Sequence, residues 1–78
     1  MERHIISREE VKQVRAGLIL NSLTCAWLIG RLEQRGIVTN KFTLSRIFNG
    51  AITSGEKAKQ IVTVSNDIIK DYEKKING

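Results

Sequence analysis

Phe42, Ser45, Arg46 and Asn49 share one side of a short segment that runs from Asn40 to Gly50, with Lys41 at its N-terminal end. At about 100° per residue, Arg46 comes one helical turn after Phe42, with Ser45 and Asn49 beside it, while Phe42 points roughly 160° away from Leu44. Leu44, Ile47 and Phe48 take the opposite side. A lysine or arginine can donate to guanine O6 and N7, and an aromatic edge can pack on a thymine methyl. Thr43 and Ser45 carry hydroxyls suited to phosphate oxygens. The chemistry is recognition, and an outward aromatic beside an arginine suits a helix that enters the DNA major groove. The ordinary alternative has Phe42 packed against the preceding helix or turn, with Lys41 and Arg46 as solvated charges.

Catalytic constellations are missing from the sequence. His4 is the one histidine and has no companion, so a solvent-exposed position is expected. No Ser/His/Asp set, glycine-rich phosphate loop or paired-carboxylate pocket can be assembled, so no enzyme is expected. Cys25 is one cysteine. It can form no internal disulfide, belongs to no Cys/His metal cluster, and reads as a small half-buried residue. Neither cofactor nor metal is expected, and a reducing, cytoplasmic setting is.

The elements that must position the recognition residues are well punctuated. Asn40 can cap the start of their helix with its side-chain oxygen, and Gly50 can end it in a left-handed conformation. Upstream, Ser7-Arg8-Glu9-Glu10 fits a capping box for a helix over about Arg8 to Leu20, with Val11, Val14, Leu18 and Ile19 as its buried stripe. Asn21 and Ser22 end it. Thr24 can cap a second helix to about Arg35, flanked by Leu23 and Leu28 as a hydrophobic staple. Gly36 stops that helix, and residues 36–39 form the turn. Trp27 lies beside the Leu28/Leu32 face and reads as core or partial core.

Downstream, Thr53-Ser54-Gly55-Glu56 fits a second capping box with Thr53 as cap, and a helix follows over about 54–76. Its first amides would favour anions, with Lys57 and Lys59 adding charge. Ala58, Ile61, Val62, Ile68, Ile69, Tyr72 and Ile76 form its apolar stripe. Ser65, Asn66 and Asp67 are poor helix formers, so a break into two helices is the alternative to one rod.

The sequence bounds the architecture as well. Seventy-eight residues make one domain with a modest core. There is no proline, and the periodicity is helical almost throughout. The expected fold is all-α, a compact domain of four to five helices with a long or broken C-terminal helix. No apolar run approaches the roughly 18 residues a membrane span needs. Glu2, Arg3 and His4 stand where a signal peptide would carry apolar residues, so no leader is expected. Residues 25–50 hold Arg31, Arg35, Lys41 and Arg46 against Glu33 alone, which is +3 of the chain's +5. That concentration favours a polyanion partner.

Two stretches resemble the helix-turn-helix of the phage repressor and Cro family, over roughly Val11 to Ile61. Leu23-Thr24 followed by Leu28 is similar to the family's "LT-x-x-x-L" entry to its second helix. Thr43-Leu44-Ser45-Arg46-Ile47-Phe48-Asn49-Gly50 is similar to the "T-I-S-R-I-x-x-G" of its recognition helix. The chain departs from the pattern by about five extra residues between the two helices. It also has Cys25 where the family often has a phosphate-contacting glutamine, and Ile29 where it usually has alanine.

The resemblance implies a helix-turn-helix over about 24–50 and a sequence-specific transcriptional regulator of phage, prophage or other mobile-element type. Its DNA-binding residues would be Asn40, Lys41, Phe42, Thr43, Ser45, Arg46, Asn49, Thr53 and Lys57. Double-stranded DNA is the expected partner. A homodimer through the C-terminal helix is also expected, because that stripe exceeds what a three-helix core needs. The rival expectation is a protein-binding module that grips another regulator through Trp27, Phe42 and the C-terminal stripe.

Overall fold

The structure, a computed structural model, describes residues 4–77. It contains four helices, α1 (Arg8–Leu20), α2 (Cys25–Gln34), α3 (Lys41–Phe48) and α4 (Glu56–Asn77). Each of the first three begins with a side-chain cap. Ser7 accepts from the Glu10 amide at 3.4 Å, Thr24 from Trp27 at 3.1 Å and Asn40 from Thr43 at 2.8 Å. These bonds satisfy amides that the helix itself leaves without partners.

The same three helices end alike. Leu23 donates to the Leu18 carbonyl, Ile37 to Leu32, and Ala51 to Arg46, at 2.8–2.9 Å. The residue before each donor is left-handed: Ser22 at φ 54°, Gly36 at 82° and Gly50 at 84°. This is the Schellman closure, which turns the chain sharply and brings the following apolar residue back on the helix. Ile37 and Leu32 are both buried accordingly.

One core unites the helices. Val11, Val14 and Leu18 of α1, Leu28 and Leu32 of α2, Leu44 and Ile47 of α3, and Ile61, Val62, Ile68 and Ile69 of α4 are all buried. Each large aliphatic side chain buried in this way contributes roughly 1.5–3 kcal/mol. Helix α4 is the spine, packed against α1 most extensively and against α2. Asn21 fastens the end of α1 to it by donating to Glu73 at 2.8 Å, and Asn66 donates to Gln13 at 3.2 Å. No helix among the described residues is long and apolar enough to cross a membrane.

Three local expectations are corrected, and of the two forms expected for the C-terminal helix one is found. Ile19 is 74% exposed, because it lies about 100° from Leu18 and off the Val11/Val14/Leu18 face. The α4 rod is continuous through Ser65–Asp67. Buried apolar residues on both sides hold it, and Ser65 itself is buried. Thr53 does not cap α4. Its carbonyl accepts from Ile6 at 3.0 Å, and the Gly55 amide donates to the His4 carbonyl at 2.8 Å. These bonds form an isolated antiparallel bridge between Ile5 and Ser54, and α4 bonding begins with Lys59 donating to Gly55. The Gly55 amide is thereby withdrawn from any anion. Finally, Ile68 and Ile69 are 4% and 3% exposed. They fold back on the chain's own core, so the apolar surplus expected of α4 shrinks to its distal turns, where Ile76 is exposed.

Candidate functional site

Helix α3 is held by two fully buried residues, Leu44 and Ile47, with Phe48 half-buried beside them. That anchorage fixes the rotation of the helix and decides what faces out. Phe42, Ser45, Arg46 and Asn49 are all exposed, as their phase requires, and Lys41 is exposed as the first residue of the helix. Phe42 is 69% exposed, so it packs against neither α2 nor the turn. The Arg46 guanidinium carbon lies 5.5 Å from the centre of the Phe42 ring. A cation over an aromatic face at this distance is held in place while its remaining N–H groups stay available. Asn49 donates to the Ser45 hydroxyl at 3.3 Å, which joins the two polar residues of the next rank.

The remaining expected residues divide. Asn40 is exposed at the head of α3, its side-chain oxygen committed to the Thr43 amide. Thr43 is half-buried and lines a groove of about 780 Å³ between the start of α3 and the start of α4. Asn40 and Lys57 line the same groove. Thr53 is not part of that groove. It stands on the other flank, in a shallow pocket shared with Ile5, Ile6, Arg8 and Ser54.

The charge layout differs from the sequence expectation. Two of the four cations in residues 25–50 are turned away from α3. Arg35 pairs with Asp71 of α4 at 3.5 Å, the one ion pair among the described residues. Arg31 lies over the Trp27 ring at 5.3 Å, and Trp27 meets Tyr72 edge-on at 5.3 Å. Both arginines therefore belong to the α2–α4 contact.

The α3 face draws charge from α1 instead. Arg8 lies over Gly50, its Nη1 atom 3.4 Å from where a Cβ on that glycine would sit. The Arg15 guanidinium carbon is 6.0 Å from the Phe48 ring. The signal was present as the spacing Arg8, Lys12, Arg15, which places three cations on one side of α1. What the sequence hid was which neighbour that side borders.

No protein-family model, curated protein or solved structure matches the chain.

Proposed function

We propose that this chain is a sequence-specific DNA-binding regulator of the repressor and Cro type, with α2 and α3 as its helix-turn-helix. The observation that carries the reading is the exposed Phe42–Arg46 pair on a helix whose opposite face is buried. A core helix of a small domain has no use for an outward aromatic ring with an arginine laid over it. In a major groove the two have work: Arg46 donates to guanine or phosphate, Phe42 packs on a thymine methyl, and Lys41 donates beside them. Ser45, Asn49 and Thr43 flank the pair, and Lys57 lines the groove beside Thr43, with hydroxyl, amide and ammonium groups for phosphate oxygens.

The mechanism is occupancy. Bound protein excludes polymerase or a competing regulator from the same DNA. The chain supplies binding and positioning and performs no bond-making step. One module of this size makes few contacts, so a homodimer on two half-sites goes with the reading. Pairing through α4 would fall to its exposed distal turns, since Ile68 and Ile69 are taken by the core.

The exposure of Phe42 and of Val38 nearby in sequence favours one rival, a grip on a protein partner in which both fill an apolar pocket. Salt separates the two. Binding of random-sequence duplex should weaken linearly in log salt, with a slope of roughly −4 to −7 for a dimer of small modules. If no duplex is retained at low salt, the DNA reading fails and the protein-partner reading takes its place.

A further inference from the structure

Among the described residues, the cationic edge of α1 has no part in ion pairing. Arg8, Lys12 and Arg15 fall within about 60° of one another around the helix, and all three are exposed. The opposite flank of α1 is occupied by α4, through Gln13 with Asn66, Gly17 with Ile69, and Asn21 with Glu73. The cationic flank therefore borders α3, as the positions of Arg8 at Gly50 and Arg15 at Phe48 show. Thr53 adds a hydroxyl in the pocket it shares with Arg8.

We propose that this edge, with Arg8 and Arg15 as its principal donors, is a second phosphate-binding surface that grips the DNA backbone beside the groove that α3 enters. The inference rests on the DNA reading above and extends it to a helix outside the helix-turn-helix. The geometry sets the division of labour. Arg8 and Arg15 bracket the C-terminal end of α3, while Phe42 and Arg46 lie on its outward face. A strand backbone that rises at the edge of a groove is the partner that such a row of cations fits. Backbone contacts of this kind add affinity and fix orientation without reading sequence.

A structural role for the same arginines is the competing explanation. Arg8 at the end of α3 complements the negative end of the helix dipole, and Arg15 covers Phe48. Charge-preserving variants separate the two roles. Binding of one duplex chosen for tight association is measured against salt for the wild type, Arg8→Gln/Arg15→Gln, Arg8→Lys/Arg15→Lys and Lys70→Gln/Lys75→Gln. Lys70 lines a groove on the α4 flank of α1, and Lys75 lies by Trp27, so that pair controls for net charge alone.

The glutamine pair should reduce the slope by about 0.9 for each phosphate no longer neutralised, and affinity at about 0.15 M salt by roughly fivefold per arginine. Sequence preference should be unchanged. The lysine pair should keep the wild-type slope, and so should the Lys70/Lys75 control. A wild-type slope in the glutamine pair overturns the proposal while leaving α3 as the DNA-binding element. An equal loss in the control reduces the effect to net charge and also overturns it. Loss of binding in both arginine pairs, with lowered thermal stability, assigns Arg8 and Arg15 to the fold instead. If the wild type binds no duplex, the DNA reading and this extension fall together.

Discussion

A methyl group on Gly17 would lie 2.6 Å from Cγ2 of Ile69, so α1 and α4 meet where only glycine fits. Ile69 is buried and has little freedom to yield. Helix propensity favours alanine over glycine by about 1 kcal/mol, but overpacking a filled core costs about 1–3 kcal/mol. Gly17→Ala should therefore lower the melting temperature. Gly30, exposed on α2 with nothing near its missing side chain, should behave in the opposite way. Gly30→Ala should stabilise by about 0.5–1 kcal/mol. Thermal unfolding of both variants checks the pair, and a stabilised Gly17→Ala would contradict the closeness of α1 and α4.

Ile69→Glu should unfold the domain. The carboxylate would enter a core that offers it no partner, a penalty of several kcal/mol. Ile76→Glu, on an exposed position, should leave helix content intact. Circular dichroism separates these outcomes. A folded, monomeric Ile69→Glu would return the apolar stripe of α4 to the role of a dimer face.

Ser22 is the one non-glycine residue with a positive φ among the described residues, and its conformation closes α1. A left-handed residue with a Cβ is strained by roughly 1–2 kcal/mol. Glycine removes the strain and adds unfolded-state entropy of about half that size. Ser22→Gly should stabilise by about half a kcal/mol, read as a higher denaturant midpoint with an unchanged slope. A lower midpoint would show that the Ser22 side chain holds the turn.

Arg46→Ala should cost about 1–3 kcal/mol of specific DNA binding and relax preference at one base position. The melting temperature should barely move, because Arg46 touches Phe42 on the exposed side and none of the core. A large fall in stability would mean that the outward face of α3 has a structural duty.

Local signals make most of the fold legible. Ser7, Thr24 and Asn40 cap where their types and positions suggest, and Gly36 and Gly50 terminate helices for the reason glycine usually does. The outward phase of Phe42 and Arg46 follows from counting residues back from Leu44 and Ile47. Most departures share one cause, which is contact between distant parts of the chain. Thr53 carries a sound capping signal, yet its backbone pairs with a segment that precedes α1. Ser65–Asp67 leave both a rod and a break open locally, and core contacts on either side decide for the rod. Residues 68 and 69 look like surplus only because the reach of α1 along α4 is not encoded locally. The charge of residues 25–50 can be counted in the sequence but not placed, since Arg35 finds Asp71 across the fold. Ile19 is different, because its exposure follows from the helical phase alone.

Whether the outward face of α3 meets DNA is decided by backbone amide shifts on titration with a selected duplex. The largest changes should fall on residues 41–49, centred on Phe42 and Arg46, while Trp27 and Tyr72 at the α2–α4 contact stay unperturbed. A duplex that binds yet leaves α3 unshifted, with its changes clustered on the α2–α4 end, would remove α3 from the interface and refute the DNA reading of the Phe42–Arg46 pair.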